Sequence, residues 1–139
     1  MKPSIEPIEI PGAPKPLGNY SHAVGYGDLI FVSGIAARDP KTDRIPGLVL
    51  DAQGEKRSYD IRAETKATIE NIRTILEAGG SSLDKVIEVN VYLIDMKDFG
   101  AYNEAYSEFF VTHRPARTTV AVAGLPGKIS IEMKVVAAK

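Results

Sequence analysis

The segment DIRAETKATIENIRTILEAGG, residues 60–80, decides the fold because it carries the clearest helical pattern in the chain. Its apolar and small side chains recur at steps of three and four residues, the spacing of one helix face: Ile61, Thr65, Ile69, Ile72, Ile75 and Leu76. Ser58 or Asp60 can cap the first turn, and Gly79-Gly80 can end the helix in a left-handed turn. The segment therefore predicts a helix over residues 60–78 with one buried face.

Two β patterns flank this helix. After it, residues 86–93 have apolar side chains at every odd position and polar or amphipathic ones at the even positions except Val86, which predicts a strand with one buried face. Before it, residues 29–34 are β-rich and end in glycine, which predicts a short, largely buried strand. Residues 37–44 and 51–55 are turn-forming and lie between that strand and the helix.

A second helix and two further strands are expected in the C-terminal half. The helix should begin at about Asp98 and be stopped by Pro115, because aromatic side chains repeat at helical spacing between them: Phe99, Tyr102, Tyr106, Phe109 and Phe110. Strands are expected over residues 117–123 and 129–137. At the other end of the chain, residues 1–19 hold five of the nine prolines and should be extended or looped.

The order of these elements predicts one α+β domain over residues 1–139, in which a mixed β-sheet packs two helices on one face. Two helices of this length cannot also cover the opposite face of the sheet. Self-association of the chain is the simplest way to cover it.

Composition limits the classes of function. The chain has 139 residues and a net charge of −1, without the clustered basic charge expected of a nucleic-acid-binding protein. It has no cysteine, which excludes disulfides and thiol nucleophiles. The N-terminal residues lack the apolar core of a signal peptide, and no apolar run approaches the ~20 residues that span a bilayer. We therefore expect a cytoplasmic protein without nucleic-acid or membrane partners.

Common catalytic fingerprints are absent from the sequence, which has no Gly-x-Gly-x-x-Gly motif, Walker loop or Gly-x-Ser-x-Gly elbow. His22 and His113 are the only histidines, and no carboxylate cluster has metal-ligand spacing. We therefore expect neither a metal nor another cofactor. The reaction would need only positioning, a proton-transfer group and water.

Arg117 is a candidate substrate-binding residue because it opens a predicted strand, where a guanidinium without an anionic partner is costly to bury. Its planar fork of N–H groups matches a carboxylate and can hold a substrate acid with two hydrogen bonds. A structural salt bridge would explain the same pattern.

Glu132 is a candidate catalytic residue because of its parity in the last strand. The apolar positions there are 129, 131, 133 and 135, so Glu132 faces the other way. If that face is a subunit interface, partial desolvation should raise the pKa of Glu132 and suit it to take a proton from water and return it to a leaving amine. An exposed Glu132 paired with Lys134 is the alternative.

Other polar positions are weaker candidates for a ligand pocket. Ser33-Gly34 ends a predicted strand, where glycine lets a ligand approach the backbone closely. Tyr20 could donate a hydrogen bond at the rim of a pocket. Asn103 could cap or bridge structural elements, and His22 is expected to be a solvated or hydrogen-bonded loop residue.

Five short motifs occur in an order and at a spacing that resemble the RidA (YjgF) family: Gly18-Asn19-Tyr20, Phe31-Val32-Ser33-Gly34, Tyr102-Asn103-Glu104, Pro115-Ala116-Arg117 and Ile131-Glu132. The similarity extends from about residue 10 to residue 138. It implies a chorismate-mutase-like fold and a homotrimer with an active site in each cleft between subunits. It also implies hydrolysis of 2-imino or 2-enamino acids.

The resemblance also implies roles for individual residues. Arg117 matches the arginine that holds the substrate carboxylate, and Glu132 matches the glutamate that orients or activates water. Tyr20 and Ser33 match residues that line the pocket, and Asn103 matches a recurring position on the second helix. Two positions depart from the common pattern, since Gly-Asn-Tyr replaces Gly-Pro-Tyr and Thr119 stands where many members carry cysteine. Both line the implied pocket, so Thr119 joins Gly34 among the predicted substrate-binding residues.

Within the family, several segments are similar to bacterial 2-aminomuconate deaminases, notably residues 59–65, 69–73, 98–104 and 117–122. The implied reaction converts 2-aminomuconate, or a similar unsaturated acid, to its 2-oxo acid and ammonia. Such a dicarboxylate needs a second anion site, for which Arg38, His22 and Lys134 are candidates.

Three other functions remain open at this point. The chain could be a broad 2-iminobutanoate/2-iminopropanoate deaminase or a non-catalytic trimer that binds a small acid. RNA cleavage, a label attached to some relatives, is disfavoured by the balanced charge. The deaminase hypotheses require the Arg117 guanidinium and the Glu132 carboxylate to converge on one crevice between neighbouring chains. We therefore expect the two groups on the same side of the sheet.

Overall fold

A computed structural model of the chain describes residues 2–139 and has a six-stranded mixed sheet at its centre. In sheet order the strands are β1 (Ile5–Ile8), β2 (Ala23–Tyr26), β3 (Leu29–Ile35), β8 (Ile131–Ala138), β6 (Val86–Leu93) and β7 (Ala116–Ala121). Only β6 and β7 run parallel; the other neighbours are antiparallel. A separate hairpin pairs β4 (Val49–Leu50) with β5 (Lys56–Ser58).

The first helix, α1 (Ile61–Ala78), confirms the prediction from its amphipathic pattern. The Asp60 side chain caps it by accepting a hydrogen bond from the Ala63 N–H. Gly80 follows the helix in the left-handed conformation, with φ of 85°, as the glycine pair predicts. The buried face of α1 packs against β3, β8 and the second helix, α2 (Phe99–Ser107), and contributes Ile69, Ile72, Ile75 and Leu76 to the core.

Strand β6 confirms the predicted alternation over residues 89–93, but the prediction is wrong at its beginning. The register against β8 shifts between Val86 and Glu88. This β-bulge turns Val86 into the core, where it is 1% exposed, and leaves Ile87 47% exposed. A pattern of period two cannot reveal such an inserted residue.

The structure adds strands to these expectations and corrects the end of one helix. The proline-rich N-terminal segment contains β1, which has Pro7 because an edge strand tolerates the missing N–H; residue 1 lies outside the described residues. Strand β2, which the sequence analysis did not predict, joins β1 to β3. Helix α2 ends at Ser107, well before Pro115, and turns continue the chain beyond it.

The helices lie on one face of the sheet, as predicted, and leave the other face open. The open face carries two cross-strand rows with apolar side chains: Val24, Phe31 and Val136 lie in one, and Tyr92 and Val120 lie in the other, beside Glu132. Phe31 is 38% exposed and Val120 is 41% exposed. Strand β3 is therefore buried on one side only. None of the helices in residues 2–139 is long and apolar enough to span a membrane.

The capping bond of α1 gives a first prediction. Asp60→Ala should lower the free energy of unfolding by about 0.5–2 kcal/mol, because the Ala63 N–H loses its acceptor. Asp60→Asn keeps an acceptor oxygen and is the matched control, which should retain most of the stability. Urea unfolding at a fixed protein concentration measures both variants. Equal losses in the two would show that the charge of Asp60 matters and the capping bond does not.

Candidate active site on the open sheet face

Glu132 lies on the open face of β8, as its parity predicts, and its carboxyl group sits over the backbone of β3. The neighbouring residue there is Gly34. A β-carbon built on Gly34 would lie 2.8 Å from Glu132 Cδ and 2.9 Å from Oε2, closer than packed atoms approach. Glycine at position 34 therefore makes room for the Glu132 carboxylate. The close approach of a ligand to its backbone, which the sequence analysis expected, stays a prediction.

A cavity of about 340 Å³ opens beside this carboxylate. We call it the Glu132 pocket. Its volume lies within the usual range of small-molecule sites, about 300–1,000 Å³. Tyr20, Gly34 and Glu132, all predicted site residues, line it together with loop residues that include Leu17, Arg38, Ile45, Gly127 and Lys128.

The environment of Glu132 is partly desolvated and unpaired. Within residues 2–139 the carboxylate makes no hydrogen bond or ion pair, and burial raises its pKa above the ordinary glutamate value. Lys134, the alternative partner, is exposed and lies opposite Asn90 on β6. The direction of the pKa shift agrees with the expectation from the sequence.

Tyr20 and Ser33 are placed differently from one another. Tyr20 is 46% exposed at the pocket wall, and its hydroxyl oxygen accepts a hydrogen bond from the Leu17 N–H at 3.1 Å. Ser33 is absent from the residues that line the Glu132 pocket. Its hydroxyl donates instead to the Ser21 carbonyl at 2.7 Å, so Ser33 joins β3 to the segment that carries Tyr20.

His22 is buried and fully hydrogen-bonded, which confirms its expected role as a bonded loop residue and not a solvated one. The Ile10 N–H donates to Nδ1 at 2.9 Å, and Nε2 lies 2.7 Å from the Pro14 carbonyl oxygen, to which it donates. With both nitrogens engaged by backbone, His22 has no donor left for a substrate anion.

Arg117 lies on β7 and faces the second helix. Its Nη1 donates to Asn103 Oδ1 at 2.8 Å, and the guanidinium carbon lies 4.7 Å from the ring centroid of Tyr106 and 5.3 Å from that of Tyr102. These rings stabilise the cation through their π faces. The expected anionic partner is absent from residues 2–139. The bond to Asn103 occupies one of the five guanidinium N–H groups, so Arg117 keeps further donors for an anion.

Asn103 and Thr119 belong to this same cluster. Asn103 orients the Arg117 guanidinium from α2, and the Thr119 hydroxyl is hydrogen-bonded to the Tyr102 hydroxyl. A cavity of about 330 Å³ lies beside Arg117, Asn103 and Tyr106. The cluster thus presents a cation, held by an amide and aromatic rings, at the edge of the helix-covered face.

Arg117 and Glu132 lie on opposite faces of the sheet within one chain, so the expectation that they share one side of the sheet is wrong. Arg117 lies opposite Val89, and Val89 lies opposite Val135, so this row points toward the helices. Glu132 is three positions from Val135 on the same strand and therefore points away from them. One chain alone cannot bring the two groups together. Any crevice that holds both must be formed by two chains.

Sequence reasoning missed several residues of the Glu132 pocket, Lys128 among them, and could not place Arg38. Lys128 was not singled out, because a lysine in a glycine- and proline-containing turn is usually solvated. Arg38 was only one of three candidates for an anion site. Their positions at the pocket depend on how two loops distant in sequence fold over β8.

The sheet order and the open-face pocket define a chorismate-mutase-like α+β protein with a site for a small ligand. A family model described as Endoribonuclease L-PSP matches residues 11–139. A RutC family protein of Pyrococcus abyssi is 46% identical over 127 residues, 91% of each chain. The chain belongs to this family, the RidA (YjgF) family that its motifs indicate.

Two solved structures show the same fold. The YJGF gene product of E. coli is 30% identical, with a TM-score of 0.83 over 96% of this chain and 98% of that one. E. coli TdcF, solved with bound serine, is 31% identical with a TM-score of 0.83 and the same coverage of both chains. These similarities confirm the predicted fold class and family. The narrower similarity to 2-aminomuconate deaminases stays a prediction.

The raised pKa of Glu132 gives a pH-dependent prediction. The folded state holds this proton more tightly than the unfolded chain, so wild-type stability should fall as pH rises from the ordinary glutamate pKa, about 4.3, through the raised value. Glu132→Gln has no proton to lose, so its stability relative to wild type should increase across that window. Urea unfolding at a series of pH values measures this difference. A difference that does not change with pH would contradict a desolvated Glu132.

Proposed function

We propose that this protein is a cytoplasmic hydrolytic deaminase that converts an enamino or imino acid to the 2-oxo acid and ammonia, with 2-aminomuconate or a similar unsaturated acid as its substrate. The observation that carries the proposal is the Glu132 carboxylate, half-buried in a pocket of small-molecule size and without a protein partner in residues 2–139. A carboxylate whose pKa is raised by burial is a better proton acceptor than an ordinary glutamate and can serve as a general base. The reaction uses no metal or other cofactor.

The chemistry requires one proton-transfer group. The enamine tautomerises to an imine, whose carbon is electrophilic. Water held by Glu132 adds to that carbon and transfers a proton to the carboxylate. Glu132 then returns this proton to the imine nitrogen, which gives a carbinolamine. The carboxylate next takes the proton of the new hydroxyl group and passes it to the amino nitrogen, the carbon–nitrogen bond breaks, and ammonia and the carbonyl compound leave. General acid–base help of this kind contributes about 10²–10⁴ in rate.

The proposed active site is shared between chains of a homotrimer. Glu132, Gly34 and Tyr20 come from one chain, whereas Arg117, Asn103 and Thr119 come from its neighbour. Two observations support this arrangement: the opposite orientations of Arg117 and Glu132, and the partly apolar open face. Arg117 would hold the substrate carboxylate with its free N–H groups. Ser33 would act on the substrate only indirectly, through its bond to Ser21.

Two rival functions make different demands on these residues. A non-catalytic small-acid binder is consistent with the bound serine in the related TdcF structure, but it has no use for a desolvated Glu132. Ribonuclease activity, suggested by the description of the family model, lacks a free histidine pair: His22 is engaged at both nitrogens, and His113 Nε2 is bonded to the Val86 carbonyl. A broad imine deaminase differs from our proposal only in substrate.

Substitutions of the two principal residues should separate their roles. Glu132→Gln should lower kcat about 10²–10⁴-fold and change KM little, because it removes proton transfer. Arg117→Ala should raise KM and lower kcat/KM about 10- to 100-fold, the contribution of a charged hydrogen bond. Ammonia release from 2-aminomuconate and from 2-iminobutanoate measures both effects. If both variants keep wild-type kinetics on both substrates, the proposed roles are wrong.

Mixing the two variants tests whether the site is shared. Arg117→Ala chains retain Glu132, and Glu132→Gln chains retain Arg117. Mixed trimers should therefore contain some crevices with both groups intact and recover part of the wild-type activity after unfolding and refolding together. Each variant refolded alone is the control and should keep only its own reduced activity. An absence of recovery in trimers shown by mass spectrometry to be mixed would argue against a shared site.

A further inference from the structure

The Glu132 pocket continues into a second cavity of about 560 Å³. Arg38, Ile45 and Lys128 line both cavities, so the two form one groove. The far part adds the apolar side chains of Leu48 and Leu50. A ligand longer than a small imino acid would therefore extend from Glu132 past Arg38 and Lys128 over an apolar surface.

The groove is positively charged in a chain whose net charge is −1. Four cations line it, Lys15, Arg38, Arg44 and Lys128, against two carboxylates, Asp43 and Glu132. Within residues 2–139 only Arg38 among these cations forms a salt bridge, with Asp43. The groove thus carries uncompensated positive charge toward any bound anion.

Among the unpaired cations that line the groove, Lys128 is the closest in sequence to the proposed catalytic group, since it lies four positions before Glu132. The adjoining backbone is fixed: the Ser130 N–H donates to the fully buried Glu64 Oε1 at 2.9 Å, and Lys56 Nζ donates to Ser130 Oγ at 2.5 Å. The charge of Lys128 also contributes, after burial, to lowering the pKa of Lys56. Lys128 therefore stands on an anchored segment within a region of positive potential.

Arg38 lines the same groove as Lys128 but comes from a different loop, residues 37–44. Its guanidinium donates to the Asp43 carboxylate and to the Lys15 carbonyl, and its side chain is only 19% exposed. Asp43 offsets its charge, so Arg38 shapes the groove and supplies remaining N–H donors, while Lys128 supplies the net charge. The other two predicted anion ligands are not available, because His22 is engaged at both nitrogens and Lys134 is absent from the lining.

We propose that Lys128, with Arg38 fixed beside it, forms an anion subsite for the distal carboxylate of an unsaturated dicarboxylic substrate. The inference rests on the proposed function, because it assumes that the reacting carbon lies at Glu132. The carbon chain would lie against Ile45, Leu48 and Leu50. The carboxylate next to the reacting carbon would remain with Arg117 of the neighbouring chain.

A matched pair of unreactive acids tests the subsite by binding alone. cis,cis-Muconate and sorbate are both six-carbon dienoic acids, and only muconate has the second carboxylate. Calorimetry should show about 10- to 100-fold tighter binding of muconate than of sorbate to the wild-type protein, since one charged hydrogen bond is added. Lys128→Gln should lose most of this preference, and Lys128→Arg should retain it. Lys41→Gln is the control, because Lys41 is exposed in the same loop as Arg38 and outside the groove.

Kinetics distinguish failure of the subsite from failure of the proposed function. Lys128→Gln should lower kcat/KM for 2-aminomuconate at least 10-fold more than for 2-iminobutanoate. Equal losses on both substrates, or an unchanged preference for muconate over sorbate, would overturn the subsite and leave the deaminase proposal standing. A wild-type protein that deaminates neither substrate, yet binds muconate through Lys128, would overturn the deaminase proposal and support an anion site.

Binding of two other ligands, inorganic phosphate and single-stranded RNA, would contradict the proposal. If inorganic phosphate displaced muconate at equal concentration, the groove would be a general anion site and the dicarboxylate assignment would be wrong. If Lys128→Gln weakened binding of single-stranded RNA while muconate binding stayed unchanged, the groove would be part of a nucleic-acid-binding surface. That result would also show that the dicarboxylate assignment is wrong.

Discussion

The helices cover one face of the six-stranded sheet and leave the other to solvent, and the position of every candidate group follows from that asymmetry. Side chains alternate across a strand, so each strand supplies residues to both environments. β8 sends Met133 and Val135 into the core and Glu132 to the open face, whereas β7 sends Arg117 toward the helix-covered side. The chain thus carries two half-sites, a carboxylate in a pocket and a cation among aromatic rings, that cannot meet within one protomer.

The elements that the sequence predicts well are those whose hydrophobic pattern matches the face that packs against neighbouring elements. The α1 stripe and the alternation of β8 each specify one buried face, and the structure contains both. The parity of Glu132 follows from the same alternation. Prediction fails where one residue changes the register, as at Ile87 in the bulge of β6, or where a short strand lacks a pattern, as in β2. The alternation of side chains along one strand does not show which face they share with the side chains of another strand. The opposite orientation of Arg117 therefore becomes clear only from the pairing of β6 with β7 and β8.

Side-chain partners are the part of the site that sequence cannot supply. Ser33 directs its hydroxyl to the Ser21 carbonyl, and His22 gives both nitrogens to backbone groups 8 and 12 residues away. Each contact satisfies a polar group that burial would otherwise leave unpaired. Arg117 shows the converse: its burial beside a strand suggests an anionic partner, but in the structure Asn103 and three aromatic rings stabilise the guanidinium. Such choices depend on which segments the fold brings together.

Closing two chains over these half-sites would change the acidity of Glu132 in two opposing ways. Further loss of solvent raises the pKa of a carboxylate, whereas a guanidinium brought near it lowers the pKa. In the separate chain only the first effect operates, and burial raises the pKa of Glu132. A substrate carboxylate bound to Arg117 would neutralise that cation and favour the protonated form again. The proton affinity of Glu132 would therefore be higher with substrate bound than without it, so that the carboxylate is a stronger base when water must be deprotonated than it is in the empty site.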